Sequence, residues 1–589
     1  SRPFFMYAPP ATPGGHTDRF KIARTRVLSY NTASLTPDDN TTIRRFITRT
    51  AAALSQGTAQ RPARRISTSD SRERNPEMPA ELTGEYDLIL YGLGVMGENF
   101  IRNFARRGYR VIGVNRTVAR TRRFAEQVKE EPVADRVGTA DTLEEAVTHL
   151  KSPGGTVIAM IKANDPTSEP RGPIDDLFFS GSQAKFGEGR REDIKPLCDI
   201  VPEGTIIIDA ANSHPVDTAR RAREMDKRDM LFLGMGVSGG AEGALNGPSI
   251  MPGGSKRAYS VVGEMLEAAA ADADGPCCSF MGSRGAGHFV KIVHNGIEYG
   301  IMQAIAETYY ALRHVLGKSP EELQPAFADM ASGREGGYLM EISAELLGMN
   351  DRESGQPMLD IILDAASQKG TGKWTSQLAF DLGVPVPTIT AALEARNISA
   401  LKEERTQAAE MLDCCALEAA EMGEDELTRA ASDALYGSMI VAYAQGFALM
   451  RAATEAGPDE PATEFAPAAD LSEVADAWKG GCIIRSELLY PIEEALADQP
   501  DLPNLLVAPQ FRNTLNDADF QRNWRRFVNT AATLGMPRNA LSASLAYLDD
   551  YRTERLAADM IQGQRDRFGM HGFKRTDREG EDFHLDPAE

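Results

Sequence analysis

The sequence predicts an α/β domain on a mostly parallel sheet, then a large all-α domain and a short polar C-terminal tail. Three observations carry this. Between Glu85 and about residue 280, short runs that are apolar throughout alternate with helical or irregular stretches, as expected for strands covered on both faces. From about residue 284 helical periodicity dominates, as in IEYGIMQAIAETYYALRHVLG and DALYGSMIVAYAQGFALMRAATEAG. The last stretch, MIQGQRDRFGMHGFKRTDREGEDF, has too little apolar surface to fold by itself, so it hangs free or borrows a surface from a neighbouring subunit.

The elements follow in order. Residues 1–80 contain 13 Lys/Arg against 6 Asp/Glu and are rich in Ser, Thr, Ala and Pro. That composition suits an organelle-targeting segment, for plastid or mitochondrion, or else a disordered extension of a cytoplasmic protein. YDLILYG then reads as a strand, GLGVMGENFIRNFARRG as a glycine turn feeding a helix, and YRVIGVN as a second strand, together a βαβ unit. GTVIAMI (155–161), GTIIIDA (204–210) and MLFLGMGV (230–237) are further buried strands. The expected domains are 85–283, 284–555 and a tail at 556–589. Two charged, Pro-containing stretches, 165–192 and 455–470, read as surface insertions.

Composition narrows the function. A chain of 589 residues holds several cores, and 42% hydrophobic with 25% charged residues is globular. Six irregularly placed cysteines without a CxxC pair indicate neither a disulfide framework nor a structural zinc site, and fit a reducing compartment. The net charge is −21, and beyond residue 80 it is −28, which disfavours nonspecific nucleic-acid binding. An anionic substrate therefore needs a local cluster of basic residues.

Gly92, Gly94 and Gly97 form G-x-G-x-x-G between strand and helix, and with Leu93, Val95 and Met96 make a dinucleotide-binding turn. The first glycine permits the turn, the second lets a phosphate approach the backbone, and the third packs helix on strand. A pyrophosphate sits well on the helix N-terminus. The second strand ends in Asn115, Arg116 and Thr117, with Arg120 and Arg122 nearby, where an NAD site places Asp or Glu. A guanidinium suits an added 2′-phosphate, which favours NADP.

The helix HFVKIVHNGIEYGIMQ puts Lys291, His294, Asn295, Glu298 and Tyr299 at offsets 0, 3, 4, 7 and 8, one face. One stripe thus holds a base, an acid and three hydrogen-bonding groups, which marks a pocket-facing surface.

At this point the chain resembles the decarboxylating 6-phosphogluconate dehydrogenases. The matching motifs are YGLGVMGENF, VNRT, IIIDAANS with DTARR, GMGVSGGAEGALNGPSIMPGG, GAGHFVKIVHNGIEYG, SQKGTGKWT, ALYGSMIVAYAQGF, GGCIIRS and QRDRFGMH, in family order over roughly residues 85–580. The resemblance implies a Rossmann-like NADP domain, a large helical domain and a tail that threads into the partner of a homodimer. It implies conversion of 6-phospho-D-gluconate and NADP+ to D-ribulose 5-phosphate, CO2 and NADPH, a pentose phosphate pathway step that demands no metal. By resemblance Lys291 is the base at the C3 hydroxyl and Glu298 the acid that protonates C1 of the enediol left after decarboxylation. Asn212, Ser238, Gly239, Gly240, His294 and Asn295 meet the carboxylate end of the substrate. Tyr299, Lys369, Thr371 and Arg396 surround its phosphate, with Arg565 and His571 supplied by the neighbouring tail. Lys162 and Asn212 join the cofactor site.

The chain departs from the family pattern at Ala210-Ala211, where a glycine pair is usual, and at His214-Pro215, where Glu-Tyr is usual. The two methyl groups are expected to alter kinetics by tightening the nicotinamide side or shifting the backbone. Two other functions compete. A dehydrogenase of another β-hydroxyacid has no need of a phosphate clamp, and a non-catalytic NADP-binding scaffold has no need of both Lys291 and Glu298.

Overall fold

The computed structural model describes residues 82, 84–163, 172–187, 190–367, 370–412, 422–580 and 583–585. The 1–80 extension and Lys369 lie outside the described residues. From Met78 onward the chain forms one compact unit.

Its first half is a seven-stranded sheet. In chain order come β1 (Leu88–Tyr91), α1 (Val95–Arg106), β2 (Val111–Val114), α2 (Val118–Val128), β3 (Val137–Thr139) and β4 (Thr156–Ala159). After a small antiparallel hairpin, β5 (Ser182–Gly187) and β6 (Arg190–Ile194), the sheet resumes with β7 (Ile206–Asp209). It continues with α3 (Pro215–Asp226), β8 (Leu231–Ser238), α4 (Gly240–Asn246) and β9 (Ser249–Gly254), before α5 (Lys256–Ala269). The spatial order is β3-β2-β1-β4-β7-β8-β9, parallel except for β9, which runs antiparallel to β8. Every residue of β1, β2, β4 and β7 is buried, because helices cover both faces, and that is why these strands are apolar throughout.

The five strands read from sequence appear in place. The other two strands of this sheet did not announce themselves. β3 is three residues long, and β9 contains Pro252 and two glycines, poor strand formers that an edge position tolerates. The glycines of β9 serve a close approach: a Cβ on Gly253 would lie 2.3 Å from the amide nitrogen of Gly287.

The second half is helical. α6 (Ala286–Leu316) and α7 (Thr371–Asp381) are followed by α8 (Pro387–Ser399) and α9 (Glu424–Thr454). Then come α10 (Ala518–Thr533), α11 (Asn539–Tyr551) and, in the tail, α12 (Ala558–Gly569). The two 31-residue helices α6 and α9 form the axis of this half. They approach closely enough that a Cβ on Gly446 would lie 2.5 Å from Ile297, and the Trp524 ring of α10 covers Gly437 of α9 in the same way. Among the described residues no helix is long and apolar enough to cross a membrane.

The two stretches expected to be surface insertions are not simply decoration. In the first, Ile174, Leu177, Phe178 and Ala184 are buried in the core on one face of the sheet. In the second, Ala462 and Phe465 are buried, and Phe465 packs on Phe289 of α6 with ring centroids 5.0 Å apart. The Glu464 carboxylate accepts from Arg223 of α3 at 2.5 Å and from Arg284, so this acidic loop ties the sheet half to the helical half. Their charged, Pro-containing sequences hid these few apolar anchors.

Candidate active site

The β1–α1 turn is dictated by its glycines. Gly92 has φ +120°, and a Cβ there would lie 2.3 Å from the Met160 carbonyl oxygen. A Cβ on Gly97 would lie 2.0 Å from the Gly92 carbonyl oxygen, whereas at Gly94 nothing lies within 4 Å. Gly94 thus offers bare backbone at the start of α1 to a cavity of about 910 Å3. Arg116, Thr117, Arg120 and Lys162 line the same cavity, as do Gly92 and Asn115. Asn115 Oδ1 accepts from the Leu93 amide at 3.1 Å and its Nδ2 donates to the Thr117 carbonyl at 3.2 Å, which locks the end of β2 to the turn. Leu93 is buried, Met96 is half-buried in the core beneath, and Val95 is exposed. Arg122 turns away to pair with Asp141 at 2.6 Å, so of the two neighbouring arginines only Arg120 reaches the cavity. Open backbone at a helix N-terminus beside several cations fits a phosphorylated dinucleotide.

The turn after β1, Lys162 after β4, Asn212 after β7 and Ser238 at the end of β8 all lie at the carboxyl edge of the parallel strands, where such sheets bind ligands. Asn212 is exposed there on a braced loop. Asp209 accepts from the Ala211 amide at 3.0 Å and from the Ser213 hydroxyl at 2.8 Å, and pairs with the fully buried Arg221 at 3.1 Å. Arg221 also pairs with Asp175 at 3.0 Å. Burial alone would raise the Asp175 pKa, but the hydrogen bonds and charges of Arg221 and Arg220 outweigh it and hold the carboxyl below its usual range. Ala210 and Ala211 are buried and have no positive φ, so this backbone does not demand glycine. His214 sets its ring edge-on to Trp374 of α7 at 5.3 Å, a contact between the two halves.

Ser238, at the end of β8, meets the site helix α6 through its side chain. Gly239 and Gly240 have φ +148° and +62°, and a Cβ on Gly239 would lie 2.4 Å from the Gly481 carbonyl oxygen. The 480–483 loop closes there, with the Ile483 amide donating to Ser238 Oγ at 3.4 Å. Ser238 Oγ lies 3.0 Å from His294 Nε2, and Trp478 meets the His294 ring edge-on at 5.6 Å. With Ser238 donating to Nε2, the neutral ring carries its proton on Nδ1. Nδ1 faces Asn295 Oδ1 at 3.3 Å, Lys291 Nζ at 3.4 Å and Glu298 Oε2 at 3.8 Å.

This face is not solvated. Lys291, His294, Asn295 and Tyr299 are buried, and only the Glu298 side chain keeps about a fifth of its surface. A Cβ on Gly236 of β8 would lie 2.4 Å from the Lys291 Cβ, so the strand itself covers the lysine stem. Burial lowers the Lys291 pKa to about 8, against a smaller upward pull from Glu298. Burial raises the Glu298 pKa, partly offset by Lys291 and Arg396. Burial and the Lys291 charge push His294 well below its ordinary value. The stripe therefore supplies an amine whose neutral form is far more accessible near physiological pH than a free lysine's, beside a carboxyl that holds its proton to higher pH than usual.

One turn further, the Arg396 guanidinium stacks over the Tyr299 ring at 3.7 Å. A Cβ on Gly372 would lie 2.6 Å from the same ring, which seats the buried Thr371 at the start of α7 beside it. Tyr299, Thr371 and Arg396 are thus gathered at one end of the stripe. Arg565 and His571 do not join them within the chain. Arg565 is exposed and donates to Gln562 at 3.1 Å, and His571 packs edge-on to Phe568 at 5.8 Å.

Sequence reasoning assigned no role to Trp478, Gly481 and Ile483. The GGCIIRS motif pointed to their segment, but only the fold brings it to Ser238 across more than 200 residues.

Fold and site define a two-domain dinucleotide-binding protein with a buried lysine–glutamate pair where the sheet meets the helical half. The description "NAD binding domain of 6-phosphogluconate dehydrogenase" matches residues 87–171 and 188–282, and "6-phosphogluconate dehydrogenase, C-terminal domain" matches 287–586. The chain is 42% identical over 490 residues to the NADP(+)-dependent, decarboxylating 6-phosphogluconate dehydrogenase of Bacillus subtilis, covering 83% of this chain and 96% of that protein. It is 40% identical over 500 residues to the decarboxylating enzyme of Rattus norvegicus, covering 85% and 96%. The solved 6-phosphogluconate dehydrogenase of Plasmodium falciparum, studied apo and with NADP+ or 6-phosphogluconate, superposes with a TM-score of 0.75 at 35% identity, covering 85% of this chain and 99% of that one. The chain belongs to the 6-phosphogluconate dehydrogenase family.

Proposed function

We propose that this protein oxidatively decarboxylates 6-phospho-D-gluconate with NADP+, giving D-ribulose 5-phosphate, CO2 and NADPH. The observation that carries this reading is the buried Lys291–Glu298 pair on one helix face, with the lysine pKa lowered and the glutamate pKa raised. The neutral Lys291 amine takes the proton of the C3 hydroxyl, while NADP+ supplies the hydride acceptor. The 3-keto acid so formed loses CO2, because the ketone receives the electron pair of the breaking C1–C2 bond. The electron pair rests on the resulting enediolate, and Glu298 delivers a proton to the former C2, which becomes C1 of the product, so that the ketose leaves.

The remaining assignments belong to the same proposal. Ser238 and the Gly239–Gly240 backbone, with Asn212, His294 and Asn295, orient the carboxylate end; Tyr299, Thr371, Arg396 and Lys369 take the phosphate. Gly92, Leu93, Gly94, Val95, Met96 and Gly97 hold the pyrophosphate, and Asn115, Arg116, Thr117 and Lys162 the adenosine half. We divide the chain into a nucleotide domain at 85–283, a helical substrate and dimerisation domain at 284–555 and a tail at 556–589. Exposed Met560, Ile561, Phe568 and Met570 support a homodimer in which the tail brings Arg565 and His571 to the partner's site. Light scattering of the full chain, and loss of turnover without loss of fold on removing 556–589, test that arrangement. Residues 1–80 serve as an organelle-targeting segment, tested by the location of a tagged chain with and without them.

The reaction itself is tested by identifying the product formed from 6-phosphogluconate and NADP+. Preferred turnover of a nonphosphorylated β-hydroxyacid would overturn the assignment.

A further inference from the structure

The nucleotide-domain match stops at 171 and resumes at 188, so β5 of the hairpin lies in the gap and β6 just beyond it. The hairpin does not point away from the protein. The Lys185 amide donates to the Arg116 carbonyl at 2.7 Å, and Lys185 bridges to Thr117 in parallel register, so β5 runs alongside the segment that ends β2. Ala184 anchors it from beneath, buried in the core. Lys185 and Arg191 then line the same cavity of about 910 Å3 as Arg116, Arg120 and Lys162.

Charge makes this placement informative. Lys185 sits directly opposite Arg191 across the hairpin. Like charges in directly opposed positions on neighbouring strands repel, a cost that an anion between or before them offsets. Among the described residues none of Arg116, Arg120, Lys185 and Arg191 is ion-paired, whereas the neighbouring Arg122 and Arg123 are held by Asp141 and Glu98. Among the described residues Asp176 is the one carboxylate on the cavity wall. In a chain of net charge −21, this is a local reversal of sign on a surface that already faces the nucleotide turn.

We propose that Lys185 and Arg191 are specificity-determining residues for the 2′-phosphate of NADP, extending the cationic wall begun by Arg116. The hairpin closes the adenosine end of the site, adding to the Asn115–Arg116–Thr117 segment a recognition element from outside the βαβ unit. This rests on the cofactor reading given above.

The test is calorimetric binding to the full chain, without turnover. The probes are NADP+, NAD+, adenosine 2′,5′-bisphosphate and 5′-AMP, against the wild-type chain and the Lys185→Gln/Arg191→Gln double variant. Both side chains are exposed, so the variant keeps its fold, which an unchanged melting temperature verifies. The double variant should weaken NADP+ and the bisphosphate by about tenfold or more while leaving NAD+ and 5′-AMP unchanged. The charge-conserving Lys185→Arg/Arg191→Lys variant should retain most of the wild-type preference. Equal losses for all four probes, or no loss for any in a chain that discriminates normally, would overturn the proposal. A wild-type chain that binds NADP+ and NAD+ equally overturns the cofactor reading, and this proposal with it.

Discussion

Lys291 Nζ lies 3.4 Å from His294 Nδ1, one helical turn away, with both side chains sealed from solvent. With Ser238 donating to His294 Nε2, an ammonium there would face the Nδ1 proton and have lost its water. A neutral amine can accept that proton in a hydrogen bond. The pair is thus set for the deprotonated lysine that a general base needs.

The first consequence is a pH dependence. With the Lys291 pKa lowered by burial to about 8, the rate of hydride transfer should rise with pH through a midpoint near that value. Stopped-flow formation of NADPH across pH 6 to 10, a range of about four units around it, reads this limb directly. A flat profile over the range argues against Lys291 as the group that titrates.

Lys291→Met should abolish hydride transfer while leaving 6-phosphogluconate binding within a fewfold of wild type. It should also stabilise the fold. A lysine whose pKa falls from 10.5 to about 8 on folding carries its full burial cost below pH 8 and sheds it as pH rises toward 10.5. Removing that charge should return up to roughly 3 kcal/mol at neutral pH, an upper bound read as a higher melting temperature. Near-normal turnover in this variant removes Lys291 from the base role.

Glu298→Gln separates the later step from the earlier one. The first-turnover burst of NADPH should survive, while steady-state formation of the ketose falls by about 10²–10⁴-fold, the usual worth of a positioned acid. Loss of the burst itself would assign Glu298 to oxidation instead.

Arg116→Glu should raise the dissociation constant for NADP+ at least about tenfold more than that for NAD+. Equal losses for the two nucleotides would show that the residue only shapes the turn.

Asp175→Ala takes one of the two carboxylates from the buried Arg221 guanidinium. The expected cost is about 3–5 kcal/mol, read as a lower urea midpoint at unchanged slope. Because Arg221 braces Asp209 and Ser213 around Asn212, the variant should also raise KM for the substrate. A loss under about 1 kcal/mol would mean that Asp209 alone satisfies the guanidinium.

Much of this was legible in the chain. The five apolar strands, the glycine turn and the Lys291–Tyr299 stripe follow from periodicity and spacing, because burial on both faces and helical geometry leave marks within a few residues. β3 and β9 left none, one too short and the other bearing Pro252. The stripe gave residue types and a shared face but not the shift of Lys291 to about 8, which depends on β8 lying over its stem. Trp478 and the 480–483 loop reach Ser238 and His294 only through the fold. The charged stretch at 165–192 read as loop, since a few buried anchors such as Ile174 and Phe178 are too sparse to set a period.

The proposed reaction couples oxidation at C3 to loss of C1 within one site. The most direct test supplies 6-phosphogluconate labelled with carbon-13 at C1, with NADP+, and measures NADPH and labelled CO2 together. One labelled CO2 is expected for each NADPH at every time point after the first turnover. NADPH without labelled CO2, or neither product despite tight NADP+ binding, would contradict it.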